Sequence, residues 1–265
     1  MEVIIQKDAT TAALLTARLI AKQLQKKPAS VLGLATGRTM ERVYDILVDF
    51  HKEEGLDFSR CHTFNLDEYV GLSPKSKHSY RTYMNKNLFK KVNITLSQTH
   101  IPNGKAKDID LECEQYDDRI KKCGGIDLQL LGLGQTGHIG FNEPLSAIRS
   151  QTRVKALTPE TIEQNSALFK SVKQVPRRAI TMGVGTILES KRCIMLVTGF
   201  KKANTVKKAV EGPITSMVTA SALQLHPKCT VIIDEEAAEL LEGKKYYRWI
   251  FENEPEWVEY QDLGE

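Results

Sequence analysis

The chain has 265 residues, of which 41% are apolar and 26% charged, and a formal net charge of +4. This composition is typical of a soluble globular protein, and the length predicts one domain over residues 1–265. The small positive charge excludes the strongly basic class of nucleic-acid-binding proteins and is compatible with an anionic small molecule.

The five cysteines form no CxxC pair and no cluster with histidines. Their odd number and scattered spacing argue against a disulfide framework. No stretch approaches the ~20 apolar residues of a membrane span, and the N-terminus lacks the basic start and long apolar core of a signal peptide. We therefore expect a cytoplasmic protein without a membrane partner.

Strand-like and helical patterns alternate along the chain. In order, they predict strands over 3–6, 31–35, 61–66, 126–131, 192–197 and 230–233, and helices over 8–25, 40–52, 79–89, 109–122, 159–169 and 201–210. The alternation predicts an α/β, Rossmann-like fold: a single doubly wound, mostly parallel sheet with helices on both faces. The polar segment 143–174 is long for a simple crossover, so we expect a mobile lid there.

A glycine-rich loop, LLGLGQTGHIGFNEP over 130–144, follows the strand at 126–131 and carries His138 and Glu143. Ligands of such sheets bind outside the carboxyl ends of the strands, and glycines let the backbone approach a small ligand closely. The loop therefore predicts an active-site edge. The alternative is a tight turn whose His and Glu satisfy local backbone groups.

A second loop follows the strand at 31–35. Thr36, Gly37, Arg38 and Thr39 precede a predicted helix and offer an anion backbone N–H groups, hydroxyls and a guanidinium. The loop matches neither a Walker A nor a dinucleotide fingerprint, and helix capping alone would also explain its Gly and Thr.

A third loop carries two adjacent carboxylates, Asp67 and Glu68, at the end of the strand at 61–66. Such a pair is costly unless it serves a purpose, and only one member can point into a cleft, for which we favour Asp67. The alternative is a helix-capping Asp beside a solvated Glu.

The three loops together predict aldose–ketose chemistry on a sugar phosphate, with one carboxylate to move a proton, a His–Glu pair to assist and a phosphate cradle. That chemistry requires no metal, and the sequence contains no metal-binding constellation. A Ser-His-Asp hydrolase is disfavoured because no GxSxG motif is present.

The sequence resembles the glucosamine-6-phosphate deaminase (glucosamine/galactosamine-6-phosphate isomerase) family over nearly its full length. The matching segments are LGLATGRT (32–39), TFNLDEYVGL (63–72), GHIGFNEP (137–144), SQTRVKALT (150–158), VPRRAITMGVGTIL (175–188) and SALQLHP (221–227). The resemblance implies conversion of glucosamine 6-phosphate and water to fructose 6-phosphate and ammonia, without a cofactor.

The same resemblance implies roles for individual residues. Asp67 would move a proton between C2 and C1 of the opened sugar, and His138, held by Glu143, would catalyse ring opening. The substrate phosphate would lie on Thr36 to Thr39, with Lys202 contributing its ammonium.

Two positions depart from the family's pattern. Thr136 stands two residues before His138, where the best-known members carry an acidic residue that also serves ring opening. Ala167 stands where the motif NSRFF supplies an arginine to the substrate phosphate.

Regulation and assembly are left open by the resemblance. Some members are hexamers activated by N-acetylglucosamine 6-phosphate bound between subunits, and others are unregulated monomers. The matching residues here are Ser146, Arg153, Lys155 and Tyr247.

Three other functions fit parts of the sequence. A 6-phosphogluconolactonase would need His138 as general base and no carboxylate at Asp67. A deaminase acting on galactosamine 6-phosphate differs only at C4 of the substrate, which the sequence does not distinguish. A non-catalytic sugar-phosphate sensor would not need Asp67, His138 and Glu143 intact.

Overall fold

Strands and helices alternate along the part of the chain that the computed structural model describes, residues 1–167, 169, 171–261 and 263. The strands are β1 (Glu2–Gln6), β2 (Val31–Leu34), β3 (His62–Asn65), β4 (Asp67–Tyr69), β5 (Thr99–His100), β6 (Leu128–Leu131), β7 (Arg153–Ala156), β8 (Arg178–Thr181), β9 (Cys193–Val197) and β10 (Cys229–Asp234). The α-helices are α1 (Ala9–Lys26), α2 (Arg38–Glu53), α3 (Tyr80–Met84), α4 (Ile109–Lys122), α5 (Pro159–Ser166), α6 (Val184–Leu188), α7 (Ala203–Val210) and α8 (Lys244–Asn253).

The main sheet has seven strands in the order β1-β10-β9-β6-β2-β3-β5, and every neighbouring pair is parallel. This confirms the predicted α/β class with a parallel sheet. From β2 the chain adds β3 and β5 on one side, then β6, β9 and β10 on the other side, where β10 pairs with the N-terminal strand β1 at the edge of the sheet. The direction of winding therefore reverses between β2 and β6, where ligands of such sheets bind.

The strands form where short apolar runs can be buried on both faces. Each residue of β2, β6, β9 and β10 is buried, as expected for parallel strands covered by helices. Helix α1 begins at the N-cap Asp8, whose side chain accepts a hydrogen bond from Thr11 N. Its buried Ala, Leu and Ile residues join the same hydrophobic core as the strands.

A second, antiparallel sheet of three strands in the order β4-β8-β7 was not anticipated from the sequence. Its strands are three or four residues long. In β7 (RVKA), positively charged residues alternate with apolar ones, so the strand is not an apolar run. Both β7 and α5 lie in the segment 143–174, where we expected a lid. The small sheet matters for function because its strand β4 begins at Asp67.

Several element boundaries differ from those expected. The helix expected over 79–89 is α3 followed by a π-helix (Asn85–Phe89), and the one expected over 201–210 is a 3₁₀ turn (Phe200–Lys202) followed by α7. The helix expected over 159–169 ends as α5 at Ser166, and its residue 168 lies outside the described residues. Across the described ranges, no helix combines the length and apolarity needed to cross a bilayer.

Candidate active site

A cavity of about 470 Å³ opens at the carboxyl ends of β2 and β6, where the winding of the sheet reverses. Loops from both halves of the sheet line it. The lining residues are Ala35, Thr36, Gly37, Arg38, Thr39, Met40, Glu41, Leu66, Asp67, Tyr80, Tyr83, Gly132, Leu133, Gly134, Gln135, His138, Gly140, Phe141, Gln164, Asn165, Ala167 and Lys202. The three predicted loops thus meet at one cavity.

The turn at 36–39 leads directly into helix α2. Gly37 adopts φ of 126°, a conformation that side-chain-bearing residues rarely take. Its carbonyl accepts a hydrogen bond from the hydroxyl of Tyr83 at 2.7 Å. Because α2 starts at Arg38, the N-terminal end of this helix lies at the cavity, where a helix N-terminus favours an anion.

Asp67 lies on β4, paired with Thr181 of β8, and its residue surface is 7% exposed. Burial and the neighbouring Glu68 carboxylate raise the pKa of Asp67 to about 8. The group can therefore both accept and release a proton near neutral pH.

Glu68 does not line the cavity. Its side chain instead accepts hydrogen bonds from backbone N–H groups at the start of α3, at Tyr80 (3.2 Å) and Arg81 (3.3 Å). Only 3% of its surface is exposed. The alternative of a capping Asp beside a solvated Glu is therefore wrong, because Glu68 is buried and is the member of the pair that binds first-turn N–H groups of a helix.

His138 is enclosed by its own glycine-rich loop. A Cβ atom at position 134 would lie 2.1 Å from His138 Nε2, so only glycine leaves room for the imidazole. On the other side of the ring, Nδ1 lies 2.8 Å from Thr136 Oγ1 and 3.1 Å from Glu143 Oε2. Thr136 thus contacts the imidazole directly, although it carries no charge.

Glu143 is buried behind the histidine, with 1% of its surface exposed. Its Oε1 accepts a hydrogen bond from Thr158 N at 3.2 Å, whereas Oε2 lies close to His138 Nδ1 without the alignment of a hydrogen bond. Burial raises the pKa of Glu143, but the interactions with His138, Thr161 and Thr158 outweigh burial and keep the pKa below its usual value. The group is therefore a carboxylate near neutral pH.

Lys202 enters the cavity from the turn after β9. The carboxylate of Asp234 fixes that turn by accepting the N–H of Gly199, with both oxygens at 3.0 Å. Lys202 Nζ donates a hydrogen bond to Leu133 O at 2.7 Å, and burial lowers the pKa of the ammonium to about 8. An ammonium group held in this way can bind an anionic ligand in the cavity.

Sequence reasoning missed the cavity-lining residues that belong to elements distant in the chain. Tyr80 and Tyr83 come from α3, whose aromatic face was visible in the sequence without any sign that it borders a cleft. Gln164 and Asn165 come from α5. The resemblance pointed to their neighbour Ala167 but not to these two amides.

The four residues matched to an effector site do not all meet one another. Arg153 and Lys155 lie on β7, and the Arg153 Nη1 donates to Asn142 Oδ1 at 2.8 Å. Ser146 is buried and donates to Glu143 O at 2.7 Å. Tyr247, on α8, bonds Glu211 Oε1 at 3.0 Å instead.

In the described ranges, no group of three or more His, Cys, Asp or Glu side chains could hold a metal ion.

The sequence profile of one protein family, described as glucosamine-6-phosphate isomerases/6-phosphogluconolactonase, matches residues 6–232. The chain belongs to this family. A family member from Hahella chejuensis (strain KCTC 2396), named glucosamine-6-phosphate deaminase, is 48% identical over 250 residues, which are 94% of this chain and 95% of the relative. These findings confirm the resemblance seen in the sequence.

Solved structures of the family separate into two levels of similarity. A monomeric glucosamine-6-phosphate deaminase is 44% identical, with a TM-score of 0.89 over 91% of this chain and 100% of its own. A 6-phosphogluconolactonase from Leishmania guyanensis is 19% identical, with a TM-score of 0.70 over 91% and 98% of the two chains. The second similarity shows the fold alone.

Proposed function

We propose that the chain is a glucosamine-6-phosphate deaminase of amino-sugar catabolism, which converts glucosamine 6-phosphate and water to fructose 6-phosphate and ammonia. The observation that carries the proposal is that Asp67, His138 and the turn at 36–39 line one cavity. The deaminases that are 44% and 48% identical to this chain support the same substrate.

Ring opening is assigned to His138. Because a carboxylate only accepts hydrogen bonds, Glu143 beside Nδ1 favours the tautomer with the proton on Nδ1. Nε2 is then free to take the proton of the C1 hydroxyl and to return a proton to the ring oxygen. The Thr136 hydroxyl, 2.8 Å from Nδ1, holds the ring in this orientation without a second carboxylate.

Isomerisation is assigned to Asp67. As a carboxylate it removes the proton from C2 of the opened aminoaldehyde; the electron pair forms a C1–C2 double bond while the C1=O π pair moves to O1, which takes a proton from water. The protonated Asp67 then returns the proton to C1, which leaves an imine at C2. Water adds to the imine carbon, and ammonia leaves to give the ketose. A carboxyl group whose pKa lies near neutral pH suits both transfers.

The substrate phosphate is assigned to the turn at 36–39 together with Lys202. Arg38 and Ala167 line the same cavity, and among the described residues no hydrogen bond or ion pair engages the Arg38 guanidinium. We therefore propose that Arg38 supplies from the loop the guanidinium that Ala167 no longer supplies from the segment after α5.

This assignment predicts that Arg38→Gly raises KM by about 10- to 150-fold, the loss expected for one charge-assisted contact of roughly 1.5–3 kcal/mol. Much of the loss should appear in KM because the phosphate is remote from C1 and C2. Adding Ala167→Arg to Arg38→Gly should recover part of the affinity. Initial rates of ammonia release over a range of substrate concentrations measure both effects.

Arg42→Gln is the matched control, because Arg42 lies on the same helix and is exposed outside the cavity. An unchanged KM in Arg38→Gly would assign the phosphate to the turn and Lys202 alone.

The proposal includes action as an unregulated monomer in the cytoplasm. The 44% identical deaminase is described as monomeric, and Arg153 Nη1 donates to Asn142 Oδ1 at 2.8 Å. The five cysteines are free thiols, as is usual in a reducing compartment.

For a monomer without effector response we predict hyperbolic kinetics whose KM does not change when N-acetylglucosamine 6-phosphate is added. Sedimentation should give the mass of one chain, 29.8 kDa. A sigmoidal curve that the effector makes hyperbolic, with the response lost in Arg153→Ala, would instead establish regulation through Arg153 and Lys155.

One assay tests the activity itself. Purified protein is supplied separately with glucosamine 6-phosphate, galactosamine 6-phosphate and 6-phosphogluconolactone, and ammonia, ketose phosphate and acid are measured. We expect equal amounts of ammonia and fructose 6-phosphate from the first substrate. Acid release from the lactone alone would establish the lactonase, and the absence of turnover with all three would favour a sensor.

A further inference from the structure

Glu68 is a buried carboxylate for which the proposed mechanism has no role. It accepts three backbone N–H groups, from Tyr69 at 2.9 Å, Tyr80 at 3.2 Å and Arg81 at 3.3 Å. Two of these donors belong to the first turn of α3, so the side chain ties β4 to the beginning of that helix. The Arg81 side chain ties the same turn to β5, because it donates to Thr99 Oγ1 at 2.7 Å and to Thr99 O at 3.0 Å.

Helix α3 in turn supports the opposite wall of the cavity. The Tyr83 hydroxyl donates to Gly37 O at 2.7 Å, in the turn proposed to hold the phosphate. Tyr80 lines the cavity beside Asp67, and its ring packs on Tyr69, with centroids 5.1 Å apart. A continuous set of contacts therefore runs from Glu68 through α3 to Gly37.

Glu68 also affects its neighbour electrostatically. Burial raises the pKa of Glu68 to about 7 although three N–H groups bind its carboxylate. Its charge is the second cause, after burial, of the raised pKa of Asp67. Two carboxyl groups coupled in this way titrate as a pair.

We propose that Glu68 is a positioning residue of the reaction, which acts by its charge on its β4 neighbour Asp67 and, through α3 and Tyr83, holds the turn at Gly37 in place for the phosphate. The proposal rests on the proposed deaminase function. It distinguishes the two carboxylates of the FNLDEY segment: Asp67 acts on the substrate, and Glu68 acts through Asp67 and through α3.

The experiment compares the parent with Glu68→Gln and Glu68→Asp. The titration of Asp67 is followed by ¹³C NMR of carboxyl-labelled protein without substrate, and Asp67→Asn identifies the signal. We expect Glu68→Gln to lower the midpoint by roughly one pH unit, the size expected for removal of one nearby like charge. The acid limb of kcat/KM, which reports ionisation of the general base in the free enzyme, should move to lower pH by the same amount. Glu68→Asp retains the charge and should restore both midpoints.

A second variant separates positioning from charge. Tyr83→Phe removes the bond to Gly37 O and leaves Glu68 in place, so KM should rise by roughly 2- to 10-fold while the Asp67 midpoint stays at the parent value. Glu53→Gln, an exposed carboxylate at the end of α2, controls for loss of one negative charge and should change neither quantity.

Different results would overturn the deaminase function and the role of Glu68. If the parent releases no ammonia from glucosamine 6-phosphate, the deaminase function fails whatever the NMR titration shows. If the parent is active but Asp67 titrates at the same midpoint in the parent and in Glu68→Gln, the proposed role of Glu68 is overturned. An unchanged KM in Tyr83→Phe would overturn the part of the proposal that runs through α3.

Discussion

Replacing Asp67 with asparagine is expected to lower kcat by about 10²–10⁴-fold, the usual contribution of a general acid–base group. The amide has nearly the same shape as the carboxyl group, so the cavity and its phosphate-binding turn should remain intact. It cannot accept the C2 proton, because an amide is far too weak a base near neutral pH. Ammonia and fructose 6-phosphate formation should fall together, whereas calorimetric affinity for glucosamine 6-phosphate should stay within a few-fold of the parent.

The matched control is Asp49→Asn, which changes an exposed carboxylate on α2 outside the cavity. This variant should keep the parent kcat and KM. If Asp67→Asn retained a kcat within a few-fold of the parent, another group would have to move the C2 proton. A large loss of binding in the same variant would assign Asp67 to substrate affinity instead of proton transfer.

The fold was predictable wherever a strand is fully buried and mostly apolar. Strands β2, β6, β9 and β10 are buried on both faces. Burial favours apolar residues on both faces of a strand, so these strands are visible in the sequence as apolar segments. The edge strand β5 has only two residues, Thr99 and His100, and gives no such signal. The small antiparallel sheet was missed for a related reason, because its strands have only three or four residues and none is an apolar run.

The site was predictable where one loop carries its residues together. His138 and Glu143 share a glycine-rich loop, and their side chains meet in the structure as that loop suggested. Contacts between distant segments were not predictable. Nothing near Tyr83 in the sequence indicates that its hydroxyl reaches Gly37, 46 residues away. The burial of Glu68 likewise depends on where α3 packs, which only the tertiary structure determines.

The structure shows what the departure at Thr136 changes in the surroundings of His138. Thr136 stands where the resemblance implies an acidic residue, and its uncharged hydroxyl lies 2.8 Å from His138 Nδ1. The remaining charge behind the imidazole comes from Glu143. We therefore propose that Glu143 controls the His138 tautomer and that both residues control the orientation of the ring.

Replacing His138 with glutamine is expected to lower kcat/KM on the cyclic substrate by about 10²–10⁴-fold. The glutamine amide can occupy the space over Gly134, but it cannot relay a proton between the C1 hydroxyl and the ring oxygen. Asp67 is unchanged in this variant, so isomerisation of a sugar that is already open should survive. An analogue whose ring cannot close should therefore be turned over by His138→Gln at a rate much nearer to that of the parent.

The comparison of the two substrates is the decisive measurement, because it cancels any general loss of stability or of phosphate binding. His51→Gln is the control, since His51 lies on α2 and its Nδ1 contacts only the carbonyl of Leu56 at 2.7 Å among the described residues. It should leave both rates at parent values. Equal losses on the cyclic and open substrates in His138→Gln would show that the imidazole serves the isomerisation itself. In that case the division of labour between His138 and Asp67 would be wrong, and both residues would act on the C1–C2 proton transfer.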